Sequence, residues 1–202
     1  MPNTKELKDW WQAHYGSATP LAYILRQQVP NRWFRIHSLP ESKRYAETPD
    51  EYSILLTRHN TIATAVLGSQ TRCLLLVGRY TEHAESDVHS QGLLPRSLPQ
   101  LEGVSFTFFD SVQEIDLIGP GQESALISIW CAPVMWSAER FNDLIKAVAD
   151  YQEANIMFAS LTTGEIYAPY DGGADLFLSS TARRDELNQQ YSRWLSDHPQ
   201  GL

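Results

Sequence analysis

Four cations stand among aromatic residues in the stretch RWFRIHSLPESKRY: Arg32, Arg35, Lys43 and Arg44. Guanidinium groups present rigid forks of N–H donors that match carboxylates and phosphates. The stretch therefore offers either a site for an outside anion or a set of internal ion pairs. Acids for internal pairing lie far along the chain in YDGGAD, at Asp171 and Asp175. Asp175 sits between Ala174 and Leu176 and alternates with Phe177, so its charge needs a cationic or hydrogen-bonding partner. This favours internal pairing, with Arg35 or Arg44 bonded to Asp175. Under the other reading the arginines hold a phosphate-bearing substrate, and His37, Asp171 and Asp175 serve a small hydrolase or transferase. His37 precedes Ser38, but no acid at a telling spacing completes a triad.

Three further groups of residues have chemistry to offer. His83, Glu85, Asp87 and His89 alternate in HAESDVHS, and an extended chain would aim all four the same way as metal ligands. A solvated loop gives the same pattern, and metal sites draw ligands from several elements, so neither metal nor cofactor is expected. His59 falls on the apolar stripe of a helix, where a hydrogen-bonded core histidine is the simpler reading. Trp10 and Trp11 are adjacent, so one helix face cannot bury both centrally. One of the two is expected at a rim or a binding interface, where Trp is favoured. Asp171-Gly172-Gly173 reads first as a hairpin turn whose glycines take positive φ.

The elements that must position these residues follow from spacing. Asn3 or Thr4 can cap a first helix, and Thr19-Pro20 can open a second. RWFRIH alternates as a strand. Thr48-Pro49-Asp50-Glu51 has the form of a capping box, followed by Tyr52, Leu55, Leu56, His59, Ala63 and Val66 at helical spacing and closed by Gly68. Strands are predicted over 72–80, 105–109, 112–118 and 124–132, with a long polar loop over 81–100. Ser137 is expected to cap a helix. A meander over 156–159, 165–170 and 174–178 then precedes a last helix from Thr181. Short connections between strands imply an α+β fold with a mainly antiparallel sheet, a helical N-terminus and a C-terminal helix. Residues 1–202 are read as one domain, with 1–30 a helical extension packed on it.

Composition narrows the function. The chain has 202 residues, 16 Lys and Arg, 24 Asp and Glu, and a net charge of -8, which argues against general nucleic-acid binding. No apolar run reaches membrane-spanning length, and the N-terminus lacks a secretory h-region. A cytoplasmic location is expected. Two cysteines inside apolar runs read as core residues rather than a disulfide. Nothing in this composition fixes an oligomeric state.

The motifs HSLPESKRY and YDGGAD, with RHNT between them and RRDELNQQYSRWLSDHPQGL after them, carry a resemblance. They resemble an uncharacterised bacterial domain-of-unknown-function family, over both ends of the chain with a looser middle. The resemblance implies a bacterial cytoplasmic protein and supplies no catalytic residue. With no nucleophile motif, phosphate loop or convincing metal set, the expected function is non-catalytic protein binding. An immunity or antitoxin-type module meeting a basic partner is the leading version, with Arg32, Arg35, Lys43, Arg44, Trp10 and Trp11 as candidate binding residues.

Overall fold

Thr48 caps its helix as the sequence predicts. Its Oγ1 accepts from the Glu51 amide at 3.3 Å, and the Glu51 carboxylate accepts from the Thr48 amide at 3.2 Å. In the computed structural model, which describes residues 4–81, 94, 99–114 and 125–195, this helix is α3 (Pro49–Leu67). Before it come α1 (Thr4–Tyr15), α2 (Ala22–Gln28) and β1 (Trp33–His37). After it run β2 (Thr71–Thr81), β3 (Thr107–Glu114), β4 (Ala125–Trp136), α4 (Asn142–Ala149), β5 (Ile156–Ser160), β6 (Ile166–Tyr170), β7 (Gly173–Phe177) and α5 (Thr181–Gln190).

The seven strands form one sheet in the order β1-β7-β6-β5-β2-β4-β3, and each neighbouring pair is antiparallel. This is the α+β architecture read from the short connections. Helices cover both sheet faces. Leu55, Ile62 and Val66 of α3 and Leu144, Ile145 and Val148 of α4 pack on one face. Leu7 and Trp11 of α1 and Leu25 of α2 pack on the other. Side chains of β2 divide accordingly: Cys73, Leu75 and Val77 face α3, whereas Leu74 and Leu76 face α1 and α2. A strand covered on both sides reads as an unbroken apolar run, which is why CLLLV shows no alternation.

Several boundaries depart from the sequence reading. The strands expected over 105–109 and 112–118 are one strand, β3, as far as Glu114, with a register shift between Phe108 and Asp110, and 115–118 lie outside the described residues. A bulge at Phe109 takes up the extra residue without ending the pairing, and Asp110 and Ser111 pair in register with Ile129 and Ser128. Phe108 packs against the α3-side core while Phe109 is buried on the other face. β4 runs on through Pro133 to Trp136 because its pairing with β3 covers only Ala125–Cys131, leaving that flank of Pro133 without a strand among the described residues. α2 starts after Leu21 rather than at Pro20, and the amide of Thr19 donates to the Gln28 side chain. α4 starts after Phe141, since Ser137–Arg140 forms a turn with Glu139 at φ 68. The last helix stops at Gln190, and Ser192–Trp194 follows as a 3-10 turn.

The glycines of DGG also act differently from the reading of a turn at positive φ. Neither Gly172 nor Gly173 adopts positive φ; a Cβ on Gly173 would lie 1.9 Å from the Ile36 carbonyl oxygen. Close approach of β1 and β7, not turn handedness, requires glycine there. Among the described residues, no helix is long and apolar enough to cross a membrane.

Candidate functional site

The β1–β7 register places Arg35 opposite Asp175. Arg35 Nε donates to Asp175 Oδ1 at 2.8 Å and Nη2 to Oδ2 at 3.0 Å, a bidentate pair, and Trp33 Nε1 donates to Oδ1 at 2.9 Å. The Arg35 guanidinium also lies 4.3 Å from the centre of the Tyr170 ring. Burial works against the Arg35 charge, but bonding to Asp175 outweighs it and raises its pKa. The other cations have partners too. Arg44 bonds Asp171 at 2.5 Å, not Asp175; Lys43 bonds Glu47 and Glu51. Arg32 donates to the His14 carbonyl and lies over the Tyr15 ring. The cation cluster is therefore a set of ties within the fold. Its Arg35 bond anchors the edge strand, and its Lys43 bonds brace the start of α3.

The Arg44–Asp171 pair leads out to an exposed surface that the sequence reading missed. Tyr45 and Tyr151, 42 % and 62 % exposed, share a hydrogen bond between their hydroxyls, with ring centres 5.5 Å apart. Arg44 lies 5.6 Å from the Tyr45 ring centre. The nearby Asp171 carboxylate raises the pKa of the Tyr151 phenol, as does the bond to Tyr45. Beside them Tyr52 donates to Asp150 at 2.6 Å, and Lys146 stands over the Tyr52 ring. Tyr151 also lines a cleft between Gly78–Tyr80 and Gln152–Asn155. There Arg79 and Glu153 form a largely buried pair; burial lowers the pKa of the first and raises that of the second.

How α4 ends explains the position of Tyr151. Its amide donates to the Val148 carbonyl, the Gln152 amide donates to the Ala147 carbonyl, and Tyr151 has φ 58. This is a Schellman ending, whose left-handed position usually holds glycine. The available sequence signal was a helix running into ADYQEAN with no glycine to stop it.

A second constellation is entirely internal. His59 of α3 hydrogen-bonds through Nε2 to Ser38 Oγ at 2.7 Å and through Nδ1 to the Tyr167 hydroxyl at 2.7 Å. All three side chains are buried. Burial, aided by the charge of Arg58, pushes the imidazole down to about 3, so it is neutral, with one N–H to donate and one lone pair to accept. Serine, histidine and tyrosine satisfy one another here and tie the chain after β1, α3 and β6 together.

The remaining candidates scatter. His37 lies on β1 opposite Gly173, and its carbonyl accepts from Arg58. Trp11 is buried and donates to the Ala18 carbonyl, while the half-buried Trp10 donates to the Leu161 carbonyl. Both cysteines are free and buried, with thiols pushed up to about 12 by burial. His83, Glu85, Asp87 and His89 lie outside the described residues, and no cluster of three or more metal-ligating side chains occurs among the described ones.

A family model described as a domain of unknown function, DUF3885, matches residues 21–199. The chain belongs to that family. No curated protein and no solved structure matches it. The family's span takes in Arg44, Tyr45, Tyr151 and Asp171, as well as the Arg35–Asp175 and Ser38–His59–Tyr167 ties, whereas α1 with Trp10 and Trp11 precedes it. The tyrosine surface is thus built from the family's own segments.

Proposed function

We propose that this member of the family is a protein-binding module that docks its partner on the ridge of Tyr45 and Tyr151. One observation carries the reading: a bulky, exposed tyrosine occupies the left-handed end of α4. Holding a residue with a Cβ there costs roughly 1–2 kcal/mol, and backbone strain of this kind collects where a side chain must be presented. Tyrosine and arginine dominate binding energy at protein interfaces. The ridge offers two tyrosines and Arg44, already oriented by Asp171. Asp150 at the end of α4 is next to Tyr151 in the chain, Glu47 lies two residues after Tyr45 just before α3, and the whole chain carries -8. That balance favours a basic partner, as in an immunity or antitoxin role in a bacterial cytoplasm.

The hydrolase or transferase reading draws less support. Its arginines are engaged internally, and both Asp175 oxygens are taken by Arg35 and Trp33. The deciding experiment is affinity capture from the native cell with the parent chain and with Tyr151→Gly. The variant should fold with undiminished stability and lose the partner that the parent retains. Equal capture by Tyr151→Gly and by Tyr45→Ala would overturn the proposal.

A further inference from the structure

We propose that Tyr45 and Tyr151 also form a modification site, an oxidation-sensitive pair that couples into an intramolecular dityrosine when a haem peroxidase and hydrogen peroxide supply the oxidant. Two phenols far apart in sequence meet at the surface with hydroxyls bonded, ring centres 5.5 Å apart and planes inclined by 47°. The carbon ortho to each hydroxyl is the coupling position of a phenoxyl radical, so bonded hydroxyls bring the two reactive edges together. Both rings are open to an outside oxidant, at 42 % and 62 % exposure.

The surroundings also suit the proton chemistry. A phenol that loses an electron becomes a strong acid and needs a nearby base. The Asp171 carboxylate acts on the Tyr151 phenol, is held near the pair by Arg44, which lies over the Tyr45 ring, and can take that proton and pass it to water.

In the reaction each phenol gives up one electron and one proton, leaving two phenoxyl radicals. These join through a carbon–carbon bond between their ortho positions. The hydrogen on each joined carbon then moves to its ring oxygen as aromaticity returns. The chain has lost two hydrogen atoms, and one hydrogen peroxide takes up the two electrons and two protons to become two waters. The new bond would close the long loop between residues 45 and 151 and restrict the unfolded chain. This proposal rests on the ring geometry and stands independently of the docking partner.

The test treats the purified full chain with a haem peroxidase and hydrogen peroxide, followed by digestion and mass spectrometry. The expected product is a peptide pair joining Tyr45 to Tyr151, two hydrogens lighter than its parts. It should occur within monomeric chains, at a yield unchanged by dilution, with dityrosine fluorescence and a raised melting temperature. Tyr45→Phe and Tyr151→Phe should each abolish that product. Tyr80→Phe should retain it, although Tyr80 is 55 % exposed. No coupling, coupling only between chains, or monomer coupling that survives in Tyr45→Phe would overturn the proposal.

Discussion

Arg35 holds both oxygens of Asp175 across the β1–β7 pair, and Trp33 adds its indole N–H to the same carboxylate. The side chains of Arg35 and Asp175 are 13 % and 5 % exposed. Water therefore does little to replace a lost partner, and removing one member of such a buried pair costs about 3–5 kcal/mol. Asp175→Asn and Arg35→Met should each lower the urea midpoint substantially. The double variant should lose clearly less than the two losses added, because the second change no longer strands a charge. Additive losses in the four-member cycle would show that the pair is not coupled.

Gly173→Ala tests the closeness of the same two strands. Its Cβ would meet the Ile36 carbonyl at 1.9 Å, a backbone atom that can yield only by moving β1. Overpacking of this kind costs about 1–3 kcal/mol. Gly172→Ala meets the Arg44 side-chain stem and the Tyr170 ring at 3.2 Å, so it should cost less. Thermal melts of the two variants give the order directly.

His59 makes stability depend on pH. Its folded pKa, about 3, lies below the ordinary 6.5, so between those values the unfolded chain binds a proton that the folded chain refuses. Stability from this residue is full above about 6.5 and is lost as pH falls toward about 3. His59→Leu should flatten the stability profile in that window. It should also leave the Ser38 and Tyr167 hydroxyls unpaired, costing about 1–3 kcal/mol for each. Adding Tyr167→Phe to His59→Leu should recover part of the loss. Urea unfolding at a series of pH values measures both effects.

Thr48→Ala should destabilise the chain by about 1 kcal/mol, since a first-turn amide of α3 loses its acceptor. Glu51, held down at about 2 chiefly by its bond from Lys43 and then by the Glu47 amide, gives the same turn an acid limit. Its contribution is present above the ordinary carboxylate value and is lost as pH falls toward about 2. Equal unfolding midpoints for Thr48→Ala and the parent would exclude a stabilising cap.

Those features were legible to different degrees in the sequence. The capping box is a local device, complete within four residues, and so could be read in full. The need of Asp175 for a cation was legible too, because its apolar neighbours made an unpaired charge untenable. Choosing Arg35 over Arg44 required the strand register, which no local pattern contains. The continuity of β3 was hidden because an Asp-Ser step resembles a turn until a partner strand holds it, and its bulge at Phe109 shows only in the register with β4. Tyr151 was missed for a related reason. Its strain comes from the way α4 ends, and its contacts come from Tyr45 and Asp171, which only the fold brings near. The Ser38–His59–Tyr167 tie likewise joins three elements, of which the helical stripe disclosed only the histidine.

The place of β1 at the edge of the sheet has a consequence for the chain as it is made. β7 is its one strand neighbour among the described residues, and 140 positions separate Arg35 from Asp175. At roughly 5–20 residues per second of synthesis, Arg35 exists for about 7–28 seconds before its carboxylate does. Through that interval Phe34 and Ile36, buried in the finished fold, have no strand beside them. A nascent chain stalled before Gly173 would offer a sticky, unclosed end to its neighbours. Synthesis of Gly173–Phe177 is what lets the sheet close over β1.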